Sequence, residues 1–386
     1  MPAHLPYFLA SFTWNYGLGM TWLVVPLYAW SKGLSGAEIG VLFSLPSVAQ
    51  LAINLIGGAY VDRFGGRRIM LASSVLLAAG AAAMPFAQTF WPLFLAQSVL
   101  VLARATFWPA NWSIAADLPG ERGVQAGRLN AITNLGQILG NGSCGFVLAL
   151  GGFDITFAVL AAMGVLALLL GLATPQVPRS VVPGQRLFDN YFVLMRVPVL
   201  YYGILCAYLS ALPFSLSMSF YPLLLQHFGY GAEASGVLLA LRAVGGIASG
   251  LLVARFVHTG PGSPWPVLSG LAVALAVFLQ PLASHWSAVG VFLLASGIGS
   301  GIMTIYFQVT MAEVVAPEMR GSAMALGGLG WGLSHLTTPL VMGLLADEYG
   351  VSAGFYLLGG MALVTVVAIW FLRRWAFATT KLAAKA

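Results

Sequence analysis

The chain has 386 residues, of which 59% are hydrophobic and only 7% charged, and its mean hydropathy is +0.89. Soluble domains carry about 25% charged residues, so this sequence lacks the polar surface that a water-soluble particle of its size needs. The formal net charge of +6 is modest, and its placement gives it a topological meaning that needs no nucleic-acid partner.

With lipid as the solvent, the backbone must satisfy its own hydrogen bonds, which leaves helices or a closed barrel. A barrel requires strands of alternating polarity. Stretches such as Val159–Leu170 are continuously apolar instead, at lengths that fit a helix of about 20 residues across a bilayer. The expected fold class is an all-α membrane protein.

In chain order, the first predicted span is 5–30. It follows Met-Pro-Ala-His with no basic stretch ahead of it, so it reads as a retained helix and not a cleaved signal peptide. It carries Asn15. Span 2, 38–61, carries Gln50 and runs into the densest charge of the chain, Gly57-Gly-Ala-Tyr-Val-Asp62-Arg63-Phe-Gly65-Gly66-Arg67-Arg68. Glycines at 65 and 66 permit a tight turn into span 3, 69–88. Span 4, 91–116, holds Arg104 near its middle, with Trp108 and Asn111 one and two turns on.

Span 5, 125–150, contains Asn134, Gln137 and the series Gly127, Gly136, Gly140, Gly145. It also spells Gly140-Asn-Gly-Ser-Cys-Gly145. No strand precedes that stretch and no ribose-binding acid follows, so it is a helix-packing pattern and not a nucleotide site. The sequons at Asn111 and Asn141 fall inside spans. Span 6 covers 153–173.

Residues 174–197, with three prolines and three arginines, form the linker between an N-terminal bundle, 1–173, and a C-terminal bundle, 198–386. The second bundle has spans 198–226, 234–254 with Arg242, 265–283, 286–312 with Tyr306, 322–346 with Trp331 and His335, and 352–372. Cys144 and Cys206 both sit in apolar segments and form no disulfide framework.

Basic residues orient these twelve helices. Of seventeen Lys and Arg, fourteen fall on one side of the expected topology: Arg63, Arg67, Arg68, Arg122, Arg128, Arg179, Arg186, Arg196, Arg255, Arg320, Arg373, Arg374, Lys381 and Lys385. The other side holds Lys32. Positive loops stay cytoplasmic, so both termini are expected in the cytoplasm of a cell whose inner, or plasma, membrane the chain crosses.

A shift of 192 residues lays Gly58-Ala-Tyr-Val-Asp62-Arg63-Phe64 on Gly250-Leu-Leu-Val-Ala254-Arg255-Phe256, and Ala116-Asp117 recurs near Ala312-Glu313. Two like-oriented halves are what parallel-repeat transporters contain. Along its whole length the chain resembles the major facilitator superfamily. That family's signature between helices 2 and 3, Gly-x-Leu-x-Asp-Arg-x-Gly-Arg-Lys, is met here by Gly58, Asp62, Arg63, Gly65 and Arg67, followed by Arg68; Tyr60 and Gly66 depart from it. The resemblance implies a latch for the outward-open state, with Asp62 facing the start of helix 11 and Arg63 reaching Asp117. The span 5 glycines resemble a pattern tied to antiporters, although Asn141 stands where proline is expected and Cys144 where glycine is. Ordinary small-residue packing explains the same glycines.

The implied function is secondary active transport of a small organic, amphipathic solute by alternating access, as proton-coupled efflux, by a monomer without metal or cofactor. No Walker-type Gly-x4-Gly-Lys-Ser/Thr is present, and no enzymatic constellation lies at membrane depth. A channel or a non-transporting sensor is the alternative from another class. The substrate cavity is expected from Arg104, Trp108, Asn111, Asn134, Gln137, Arg242, Tyr306, Trp331, His335, Asn15 and Gln50. An intramembrane arginine costs at least about 2.5–3.5 kcal/mol and needs a partner or a cavity. Arg104 and Arg242 therefore pose a choice. Either they clamp a small organic anion for uptake or exchange, or Arg104 is hydrogen-bonded to Asn or carbonyl groups and Arg242 lies near the outer headgroups. His335 is the one group at this depth that titrates near neutral pH; it is either the carrier of a coupling proton or, as buried histidines more often are, a neutral side chain packed in the bundle.

Overall fold

The computed structural model describes residues 4–119, 122–174, 189–314 and 319–383, and all regular structure in them is helical. Among the described residues, ten segments are long and apolar enough to cross a membrane. One of them, Gly127–Leu172, is 46 residues long, enough for two crossings, and it breaks where Gly152 adopts φ 69° and ψ −173°. Leu5–Ser31 is also long enough at 27 residues, but Asn15 and its tyrosines and tryptophans make it less apolar than the ten.

The first half runs through α1 (Leu5–Ser31), α2 (Gly36–Ser44), α3 (Pro46–Phe64), α4 (Gly66–Ala83), α5 (Phe90–Asp117) and α6 (Arg122–Leu172). The start of α2 is fixed by a capping box: Ser35 Oγ accepts from the Glu38 amide at 3.2 Å, and the Ser35 amide donates to Glu38 Oε2 at 2.9 Å. This reciprocal pair satisfies two orphan donors and moves the start two residues ahead of the predicted one. The predicted second span is one apolar crossing, Gly36–Ile56. It bends at Leu45, which keeps helical angles at φ −63° and ψ −41°, because Pro46, at the first position of α3, has no N–H to continue the ladder. The turn from α3 to α4 is a single residue, Gly65, at φ 83° and ψ 136°, a conformation that side chains resist.

After the short α7 (Asp189–Leu194) come α8 (Pro198–Ser217), α9 (Tyr221–His227), α10 (Ala232–Leu252), α11 (Trp265–Leu279), α12 (Trp286–Val314), α13 (Arg320–Gly327), α14 (Leu329–Tyr349) and α15 (Val351–Ala383). The predicted seventh span is interrupted between Ser217 and Tyr221. The eleventh is one apolar segment, Ser322–Tyr349, with a bend at Gly328, which keeps helical angles at φ −62° and ψ −13°.

The chain forms two compact units. One comprises residues 1–183 with 218–240, and the other 184–217 with 241–386. Inside the first, α1 packs along α6, and α4 lies against α5 and α6. Inside the second, α8 packs along α14, and α11 lies against α12 and α15. The same pairing order in each unit is the structural counterpart of the repeat seen in the sequence.

Close helix approach at glycine recurs in both. A Cβ on Gly136 would stand 2.5 Å from the Phe12 carbonyl, and one on Gly140 would overlap the Tyr16 carbonyl. In the second unit, a Cβ on Gly330 would overlap the Ile204 carbonyl, and one on Gly245 would stand 2.5 Å from that of Leu294. In lipid, helices gain little from hydrophobic association, so backbone proximity of this kind carries the packing.

Candidate functional site

The buried polar side chains named from the sequence fall into one set per unit. In the first, Asn111 of α5 is a hub. The Tyr7 hydroxyl donates to its carbonyl at 2.8 Å, and Ser11 Oγ donates to its Oδ1 at 2.9 Å. Asn15 Nδ2 donates to the Ser11 carbonyl, and Gln137 Nε2 to Asn15 Oδ1, both at 2.8 Å. Three of the predicted cavity residues, Asn15, Asn111 and Gln137, are thus joined through Ser11 into one buried chain across α1, α5 and α6. Buried polar groups need such partners. Asn134 is half-buried and donates to the Asn130 carbonyl at 2.8 Å. Trp108 belongs to an aromatic run. The Trp14 and Phe107 rings stack at 3.7 Å, and Trp108 lies 5.5 Å from Phe107 and 6.4 Å from Trp112.

Arg104 is 6% exposed. Its Nη2 donates to Gln50 Oε1 of α3 at 2.6 Å, and its Nη1 lies 2.8 Å from the sulfur of Met218. No carboxylate meets it. Met218 was absent from the predicted set, because sequence spacing does not tell which residue of a later helix reaches an earlier one.

In the second unit, Arg242 of α10 places its guanidinium carbon 5.3 Å from the centre of the Phe214 ring. The same ring stacks with the imidazole of His335 at 5.5 Å and 28°. His335 Nδ1 is 2.6 Å from Ser215 Oγ, which is 3.2 Å from Ser334 Oγ, and that in turn is 3.3 Å from Thr338 Oγ1. One turn before His335, Trp331 donates from Nε1 to Ser210 Oγ at 2.7 Å and sets its ring edge-on to Phe307. Tyr306 is fully buried, its hydroxyl 3.5 Å from that of Tyr202. Phe214 of α8, which lies against both Arg242 and His335, and Ser215, which bonds His335, were also missed from sequence. Neither carries a charge to draw attention to it.

Among the described residues, the buried side chains of fixed charge are Arg104 and Arg242, and no Asp or Glu is buried. Arginine offers a planar fork of donors suited to carboxylate or phosphate oxygens, and an aromatic face beneath it adds a cation–π contact.

At the α3–α4 turn, the side chains of Gly58, Asp62 and Asp117 lie outside the described residues, so the Asp62 contact and the Arg63–Asp117 contact lie outside them too. Arg63 is exposed beside Phe64. Arg67 has a defined task. Its Nε donates to the Gly171 carbonyl at 3.2 Å and its Nη2 to the Leu172 carbonyl at 2.6 Å, the final carbonyls of α6, where a cation is favoured. Arg67→Ala is expected to destabilise the protein by about 0.3–1 kcal/mol, read as a lower melting temperature in detergent. The same change at exposed Arg68 should leave it unmoved.

Apolar crossings and two helical units with the same pairing order define a polytopic membrane transporter. The family model described as Major Facilitator Superfamily matches residues 7–281 and 262–384, and the chain belongs to that superfamily; it is a transporter and not an enzyme. It is 23% identical over 370 residues, 92% of each chain, to the quinolone resistance protein NorA of Staphylococcus aureus (strain MSSA476). To multidrug resistance protein 1 of Bacillus subtilis (strain 168) it is 22% identical over 337 residues, 86% of each chain. Among solved structures, the nucleoside transporter NupG is similar with a TM-score of 0.74 at 16% identity, covering 96% of this chain and 98% of that one. The D-xylose-proton symporter follows at 0.72 and 16%, covering 95% and 96%. Those two likenesses establish the fold.

Proposed function

We propose that this protein exports small amphipathic organic solutes by alternating access, in exchange for protons. The carrying observation is the likeness over 92% of its length to a quinolone resistance protein, joined by a multidrug resistance protein. A transporter confers resistance by removing the drug. The aromatic and polar groups around Trp108 and Trp331 suit a bulky amphipathic guest. On this reading the halves 1–173 and 198–386 exchange access to a central site. The linker 174–197 and both termini lie in the cytoplasm, and Gly58, Asp62, Arg63, Gly65, Arg67, Arg68 and Asp117 form the latch of one state.

His335 is assigned the coupling proton. It lies at the midpoint of the segment Ser322–Tyr349, and an imidazole titrates in the range where a proton gradient operates. Ser215, Ser334 and Thr338 extend a line of hydroxyls from its Nδ1. In proteoliposomes, purified protein is expected to drive ethidium or norfloxacin across the membrane when a pH gradient is imposed. His335→Asn should abolish gradient-driven accumulation while keeping solute counterflow. Loss of counterflow as well, or unchanged accumulation, would remove His335 from the coupling role. No flux of either probe would count against drug export itself.

A second reading is favoured by one feature: among the described residues, the buried side chains of fixed charge are two arginines, Arg104 and Arg242. It is uptake or exchange of a small organic anion held at the arginines.

A further inference from the structure

Inside the first unit, beside Arg104, lies a cavity of about 20 Å³. Its polar lining is Thr21 of α1 with Gln97 and Arg104 of α5, and the rest is leucine and valine. A water molecule needs roughly 10–15 Å³ of such space and two to four polar partners, whereas truly empty cavities are lined by apolar groups alone.

Two of the lining residues have unmet needs. Arg104 Nε and Gln97 Oε1 are both buried and have no hydrogen-bond partner. Gln97 precedes Arg104 by seven residues, two turns on the same face of α5. Thr21 donates its hydroxyl proton to the Leu18 carbonyl at 2.6 Å, which leaves its lone pairs free to accept.

We infer that this cavity is a site for one resident water, which accepts from Arg104 Nε–H and donates to Gln97 Oε1 and Thr21 Oγ1. The pairing of an orphan donor with an orphan acceptor selects the ligand. An anion satisfies Arg104 and repels Gln97 Oε1. A cation does the reverse, and an apolar group serves neither. Water alone at this size gives and takes at once.

The consequence is for the arginine. Gln50 and Met218 hold its two terminal nitrogens, and the water holds its third nitrogen to α1 and to the preceding turns of α5. Gln97 and Thr21 are then positioning residues for Arg104. This site goes beyond the export reading and stands whatever the solute is.

The test uses the full chain in lipid nanodiscs. A structure at a resolution that shows solvent should contain one peak within hydrogen-bond reach of Arg104 Nε and Gln97 Oε1. Gln97→Leu, which removes the acceptor, should melt several degrees lower. Gln97→Glu, which keeps an acceptor, should melt no lower than the parent. An empty cavity, or a Gln97→Leu protein as stable as the parent or more so, overturns the proposal, since filling a dry cavity costs nothing. Growth in bromide offers a further check. Anomalous density at this position would mean that the Gln97 carboxamide is turned and an anion occupies the site, which also overturns it.

Discussion

Gly140→Ala is expected to cost this protein most of its folded yield. The added methyl would overlap the Tyr16 carbonyl of α1, and a backbone oxygen inside a helix cannot swing aside as a side chain does. The contact between α1 and α6 would have to open along its length, and Gly136, which meets Phe12 one turn earlier, would lose its fit with it. Overpacking of a tight core costs about 1–3 kcal/mol even where neighbours give, and here the neighbour is rigid. Gly127→Ala is the matched control. Nothing lies within 4 Å of a Cβ there, and replacing a helical glycine by alanine gains about 0.8–1.0 kcal/mol of helix propensity. Monodisperse yield and melting temperature in detergent should move in opposite directions for the two variants. Equal behaviour would mean that α1 and α6 do not meet as described. The outcome also bears on the glycine series of span 5. Gly136 and Gly140 answer to α1, and Gly145 would meet the Ala232 carbonyl, so packing accounts for three of its four members.

Arg242→Gln should separate charge recognition from solute recognition in general. The guanidinium carbon lies 5.3 Å from the centre of the Phe214 ring, which in turn stacks with His335. A charge-assisted hydrogen bond is worth about 1.5–3 kcal/mol, which corresponds to roughly a 10–150-fold change in affinity. Uptake of 1-naphthoate into proteoliposomes is therefore expected to show a KM raised by about 10-fold or more. Its neutral amide, 1-naphthamide, should change little. Arg242→Lys should not restore the parent value, because an ammonium keeps the charge but loses the planar stacking and the fork of donors. If acid and amide fall together, Arg242 serves the packing of α10 and the organic-anion reading fails.

These two experiments probe different layers of the molecule, and the layers differ in how far sequence alone reveals them. The spans were legible because lipid imposes one requirement on every residue of a crossing, and a continuous apolar run meets it wherever it occurs. Gly152 was legible as a boundary between two crossings for the same reason. The bends at Leu45 and Gly328 had a mark in the sequence, Pro46 and the pair Gly327-Gly328, whereas the interruption near Met218 was not legible, since the residues at the break itself give no such signal.

Arg104 and Arg242 stood out from sequence by their cost in a membrane. Their partners did not. Gln50 was singled out as a cavity residue but not as the partner of Arg104, and Met218 and Phe214, which meet Arg104 and Arg242, and Ser215, which meets His335, have ordinary identities. Gln97 was half visible, two turns from Arg104 on one face, but its unmet oxygen is a fact of three-dimensional space. Sequence by itself thus determined the solvent, the repeat and the residues too expensive to bury without purpose, because those follow from free energies of transfer that each residue carries alone. Which groups satisfy one another was decided only by tertiary structure, because a hydrogen bond depends on separations of about 3 Å between atoms more than 100 residues apart in the chain, as between Tyr7 and Asn111.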